Sequence, residues 1–128
     1  MSRSIEIPIK SFPKNWFVTW NVTSQCGFNG NVQIKSGGNV LQTIEKKDHS
    51  SNLQLLGSGS VTTPSEDMAI VVTVYEGSGP IYERHQANMV LNNKGETVGI
   101  TMAICIEDSD DQDFNDYCIS LAGWAKKG

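Results

Sequence analysis

Long apolar runs are missing from this chain of 128 residues. None approaches the roughly 18 residues that a membrane-spanning helix needs, so no membrane insertion is expected. Behind Met1-Ser2-Arg3-Ser4 there is no apolar stretch of signal-peptide type. That reads as synthesis in the cytoplasm and leaves open export without a cleaved signal. Cysteine is scarce: Cys26, Cys105 and Cys118 form an odd set with no C-x-x-C pair. His49 and His85 have no ligand-spaced partner, so a zinc site is not expected. The length suits one domain, 1–128, with a real hydrophobic core.

Positive charge is missing from one stretch. Lys and Arg total 10 against 14 Asp and Glu, a formal net charge of −4. Six of those acids fall in the ten residues 107–116, which hold no Lys or Arg; the rest of the chain has 8 acids and 10 bases. One short segment therefore makes the protein acidic. This excludes a general basic footprint for nucleic acid and points to a local site for cations.

What is present is β-periodicity. Ile5, Ile7 and Ile9 alternate with Glu6, Pro8 and Lys10, and Pro8 suits an edge strand. Trp16 to Val22, Asn31 to Lys35, Val40 to Ile44, Leu53 to Leu56, Met68 to Tyr75, Gln86 to Leu91, Thr97 to Ile106 and Tyr117 to Trp124 continue the series. Gly37-Gly38 reads as a tight hairpin turn, and Asn92 to Gly95 as another turn. No long stretch has a capped 3.6-residue period. The expectation is all-β: an antiparallel β-sandwich of about nine short strands.

The acidic run Glu107-Asp108-Ser109-Asp110-Asp111-Gln112-Asp113-Phe114-Asn115-Asp116 joins the last two strands. At ~5 Å and an effective dielectric of ~20, each like-charged pair costs on the order of 3 kcal/mol before screening. Protonation or a cation must relieve this. Oxygen ligands favour Ca²⁺, which accepts 6–8 of them in flexible geometry. An EF-hand starting at Asp111 fails, because Asp116 stands where Gly is needed and Ala122 where Glu is needed, and the flanks are strands. A merely solvated loop is the alternative. Against it stand Phe114 within the run and the strand that resumes at Tyr117.

The pattern E-D-x-x-D-x-D-aromatic-N-D, followed by a strand, a Trp and a closing Gly, resembles the two-calcium bacterial lectins that bind fucose and mannose. Phe12-Pro13 through Ile34 is similar to that family's first strands. The resemblance implies two adjacent Ca²⁺ ions per site. Glu107 and Asp111 would serve one ion, Asp113 and Asp116 would bridge both, and Asn115 would serve the second. Thr23 would add a backbone carbonyl, and Gly128 a carboxylate reaching the site of a neighbouring subunit. Sugar hydroxyls would replace water on the ions, with Asp108 accepting a charge-assisted hydrogen bond. Ser24-Gln25-Cys26 matches the short loop that tunes which monosaccharide is preferred. Glu107, Asp111, Asp113 and Asp116 would line the same sugar site.

Other residues read as structure. Trp16, Trp20 and Trp124 fall in strand runs and are expected in the core. Cys105 and Cys118 lie symmetrically about the acidic run. A hairpin would set them opposite each other, as buried thiols in preference to a disulfide. Glu83, Arg84 and His85 have no nucleophile beside them and read as surface. The sequence therefore points to a calcium-dependent, non-enzymatic lectin for glycans containing fucose or mannose, a homodimer or homotetramer. Two alternatives share its loop: a β-sandwich in which calcium serves adhesion or assembly, and a two-metal phosphoester hydrolase. The second lacks His ligands from other elements.

Overall fold

The computed structural model describes residues 2–63 and 67–128. The described residues form nine strands: β1 (Arg3–Ile9), β2 (Phe17–Ser24), β3 (Gly30–Ser36), β4 (Asn39–Lys46), β5 (Gln54–Thr62), β6 (Met68–Val74), β7 (Tyr82–Leu91), β8 (Thr97–Glu107) and β9 (Tyr117–Trp124). They form a four-stranded sheet, β1-β6-β3-β4, and a five-stranded sheet, β5-β2-β9-β8-β7. Every pairing is antiparallel. This is the expected all-β sandwich.

Alternation builds the core. Ile7, Ile9, Val32, Ile34, Ile70, Val72 and Val74 on one sheet pack with Val18, Val22, Ile104, Ile106, Ile119 and Leu121 on the other. Each such side chain contributes about 1.5–3 kcal/mol when fully buried. Gly37-Gly38 forms the two-residue turn between Ser36 and Asn39, with φ of 59° and 81°. Such a turn needs positive φ at both central positions, which glycine adopts without strain. Asn92 closes the second turn, its amide donating to the Glu96 carbonyl at 3.0 Å.

Two strands run longer than their hydrophobic pattern. β5 extends to Thr62 through Gly57-Ser58-Gly59-Ser60, where no large side chain signals a strand. The indole of Trp20 occupies that space; a Cβ on Gly59 would lie 2.9 Å from its Cζ2. β7 begins at Tyr82 and is mostly exposed, because it is an edge strand with little to bury.

The tryptophans divide. Trp20 is buried and Trp16 is half-buried against the core, but Trp124 is 39% exposed. Along β9, Tyr117, Ile119, Leu121 and Gly123 point inward, so the next residue must point out. Trp124 instead covers Gly99, where a Cβ would come within 2.4 Å of its ring. Cys105 and Cys118 do face each other across β8 and β9. Both are free thiols, and both are half-buried rather than buried, because they lie on the outward side of their strands.

Gly123 tests the packing at the other end of β9. A Cβ there would lie 2.4 Å from Cδ1 and Cε1 of Phe12, a ring with no exposure and no room to move. Gly123→Ala is expected to destabilise the protein by about 1–3 kcal/mol. Gly27→Ala, which meets nothing within 4 Å, should stay within about 0.5 kcal/mol of wild type. Chemical denaturation of the two variants at one fixed calcium concentration measures the contrast.

Candidate functional site

The acidic run forms the connection between β8 and β9 at one end of the sandwich. Its two ends are fixed by the sheet, since the Asp116 amide donates to the Ile106 carbonyl at 3.1 Å. Between them the backbone takes left-handed turns at Gln112 (φ 62°) and Phe114 (φ 53°). Each such non-glycine residue costs about 1–3 kcal/mol. Glu107 holds the turn together. Its Oε1 accepts from the Phe114 amide at 2.9 Å, and its Oε2 accepts from the Ser109 amide and hydroxyl at 3.1 and 3.0 Å. Arg84 of β7 stacks over Phe114, with Cζ 4.8 Å from the ring centroid. Arg84 thus lies on the surface strand expected for it and also clamps the loop.

Carboxylate oxygens of Glu107, Asp111, Asp113 and Asp116 lie within 4.8 Å of one another. Glu107 and Asp116 are buried, whereas Asp111 and Asp113 are exposed. Asn115 is half-buried beside them. Protons report the crowding. Burial opposes ionisation of Glu107, but its hydrogen-bond donors outweigh that and hold its carboxyl down at about 2. Asp111 is pushed up to about 6, chiefly by sharing a hydrogen bond with Glu107. Burial, together with the charges of Asp108 and Glu107, drives Asp116 up to about 8 against the pull of the Asp108 amide.

The end of β2 supplies the second wall. Ser24 donates its hydroxyl to the Asp116 carbonyl at 2.6 Å, and the Gln25 amide donates to the carbonyls of Asn115 and Asp116. Thr23, half-buried, pairs with Cys118 in the register of β2 and β9. The sequence-predicted segments 23–26 and 107–116 therefore meet. Within Ser24-Gln25-Cys26, only Gln25 has appreciable exposure. Cys26 is fully buried, and its thiol donates to Asp108 Oδ2 at 3.1 Å. It supports the site from below.

One residue has no warning in the sequence. Arg3, at the start of β1, donates through Nη1 to the Asp108 carbonyl at 2.9 Å and lies 3.8 Å from Asp108 Oδ2. Gly128 is not part of its own chain's cluster. β9 carries the chain away from the loop, by about 3.3 Å per residue, to Trp124. The tail then continues with the Ala125 amide bonded to the Val98 carbonyl and Lys127 stacked over Phe17.

The sequence profile described as Fucose-binding lectin II (PA-IIL) matches residues 10–125. The chain belongs to this family. No curated protein sequence matches it. Solved structures share the fold. A Ralstonia solanacearum high-affinity mannose-binding lectin aligns with TM-score 0.64 and 16% identity over 95% of this chain and 96% of its own. A Chromobacterium violaceum lectin in complex with alpha-methyl-fucoside gives 0.63 and 14% over the same shares. The C-terminal domain of a Burkholderia cenocepacia lectin gives 0.65 and 16% over 99% and 100%. The family match starts at residue 10, so Arg3 lies outside it.

A proton-linked stability follows from the raised carboxyls. An acid whose folded value is raised loses stability as pH climbs from its unfolded to its folded value. For Asp116 that window runs from 3.8 to about 8, and for Asp111 from 3.8 to about 6. Glu107 acts oppositely, with its contribution lost as pH falls from 4.5 to about 2. In chelator, the melting temperature should therefore be highest near pH 4–5 and fall towards pH 8. Calcium should raise it, and by more at pH 8 than at pH 5. Thermal melts across pH with and without calcium check this; no gain with calcium would reduce the run to a solvated loop.

Proposed function

We propose that this protein is a calcium-dependent, non-enzymatic lectin for fucose- and mannose-type sugars. The observation that carries the reading is the group Glu107, Asp111, Asp113 and Asp116, four carboxylates converging within 4.8 Å in a chain matched to fucose-binding lectin II over residues 10–125. The donor set fits calcium. It offers hard oxygens in excess, and in two of the four carboxyls, Asp111 and Asp116, burial and the neighbouring carboxylates raise proton affinity above the ordinary range.

In this reading Glu107 and Asp111 would hold one ion, Asp113 and Asp116 would contribute to both, and Asn115 and the Thr23 carbonyl would serve the second. Bound calcium would supply exchangeable positions that neutral, correctly spaced hydroxyls can fill. The chain's own residues do the rest. Asp108 accepts a hydroxyl hydrogen in a charge-assisted bond. Ser24 and Cys26 brace the loop from within, and Gln25, the more exposed side chain of that segment, would be the one to touch a sugar. Since β9 leads Gly128 away from its own cluster, a Gly128 carboxylate completing a site would come from a neighbouring copy. A dimer or tetramer built that way would also convert weak single-sugar contacts into avidity.

Titration calorimetry with methyl α-fucoside and methyl α-mannoside tests the reading. Calcium-loaded protein should bind at least one of them, excess chelator should abolish that binding, and Asp113→Ala should bind neither calcium nor sugar measurably. Sugar binding that persists in chelator overturns it. Calcium binding without heat from either sugar would leave the metal a structural role in adhesion or assembly.

A further inference from the structure

The structure singles out Arg3, the residue farthest in sequence from the loop it touches. Its side chain is only 10% exposed. Nε and Nη2 donate to the Glu76 carbonyl at 3.1 and 2.8 Å, and Nη1 donates to the carbonyls of Ser78 and Asp108 at 3.2 and 2.9 Å. One planar fork thus joins the start of β1, the bend after β6 and the first residues of the acidic loop. A lysine offers no such fan of donors.

The surroundings are shaped to admit it. Gly77 sits between two of the carbonyls with φ of +86°, and a Cβ there would lie 2.5 Å from Arg3 Nη2. Asp108, in turn, is held on three sides. Arg3 grips its carbonyl and faces its carboxylate, Cys26 donates to Oδ2 at 3.1 Å, and its own amide donates to Asp116 Oδ2 at 2.8 Å. Only 7% of Asp108 remains exposed. An acceptor held so tightly presents a narrow range of directions to an incoming hydroxyl, which is how a site discriminates by orientation.

We propose that Arg3 is a positioning residue that fixes Asp108 as a directional hydroxyl acceptor of the sugar site. The proposal rests on the lectin reading for the ligand, but the restraint on Asp108 is a separate physical statement and can be tested separately. Removing Arg3 frees the Asp108 carbonyl and takes the facing cation from its carboxylate, leaving the contacts with Asp116 and Cys26 to hold the residue.

The experiment compares wild type, Arg3→Gln, Asp108→Asn and the double variant, all calcium-loaded, titrated with whichever of methyl α-fucoside and methyl α-mannoside wild type binds more tightly. Arg3→Gln should weaken binding about tenfold. The same change in the Asp108→Asn background should weaken it less than twofold, since Arg3 acts through that carboxylate. Arg3→Lys, a milder change, should still lose at least threefold because the fork is gone. An Arg3→Gln affinity within twofold of wild type, or an undiminished tenfold loss in the double variant, overturns the proposal. Hydrogen exchange supplies the readout that needs no sugar. The Asp108 amide should exchange at least tenfold faster in Arg3→Gln, while Val32 and Ile70 in the other sheet keep their wild-type rates. Unchanged exchange at Asp108, or equal acceleration at all three, overturns the restraint itself. A wild type that binds neither sugar sinks the lectin reading, and the exchange rates then decide Arg3 alone.

Discussion

Six acidic groups within ten residues, joining two strands that belong to the core, repel one another and cannot separate. β8 and β9 are bonded through the register from Gly99 and Trp124 to Ile106 and Tyr117, so the loop's ends are fixed whatever its charge. The backbone answers by folding onto Glu107, which takes three donors from Ser109 and Phe114. Left-handed turns at Gln112 and Phe114 follow from that, and Arg84 on the adjacent strand brings a cation over the ring of Phe114. What the loop does not resolve by hydrogen bonding shows as a raised affinity of Asp111 and Asp116 for protons. A cation that replaces those protons would find the geometry already made, which is the economy of a preorganised site.

The sandwich explains why the site sits at an end and not on a face. The inner faces are filled by Ile, Val and Leu, and the outer face of the larger sheet carries small uncharged side chains such as Thr19, Asn21, Ser120 and Ala122 across its middle. At this end, groups carried by or next to β1, β2, β6, β8 and β9 meet in one place. There the sheet's own backbone polar groups are no longer consumed by ladders. Carbonyls of Asn115 and Asp116 accept from Gln25, and those of Glu76, Ser78 and Asp108 accept from Arg3. The fold supplies a rigid rim, and the rim supplies the polar atoms.

Most strands are legible because they alternate. Val32 and Ile34, or Ile104 and Ile106, declare both their period and their buried side. β5 is not legible past Leu56, since its partner Trp20 fills the space that its own side chains would have needed. β7 is not legible before Gln86, since an edge strand buries one face at most. In the site, the clustering of acids in 107–116 can be read directly from the sequence, and the family resemblance points to its meeting with 23–26. Depth cannot. Cys26 and Asp108 are spaced like surface residues of two loops yet end up in contact beneath the surface. Arg3 carries no sequence signal, because its role depends on a bend more than seventy residues away whose glycine makes room for it.

Asp116 belongs to two groups at once. Its carboxylate lies with Glu107, Asp111 and Asp113, and also with Cys26 and Asp108. Through Oδ2 it accepts the Asp108 amide, so the orientation of Asp108 and the charge state of Asp116 are one problem. Ionising Asp116 strengthens that amide bond and draws Asp108 into place; protonating it weakens the bond and loosens Asp108. A cation bound to Asp116 would therefore act on Asp108 through that bond. Linkage requires the converse: whatever strengthens that amide bond must favour the ionised Asp116 by an equal free energy. Arg3 and Cys26 are on one side of that balance and the exposed carboxylates of Asp111 and Asp113 on the other. If the loop binds a metal, the buried carboxylate between them would tie its affinity to the orientation of Asp108.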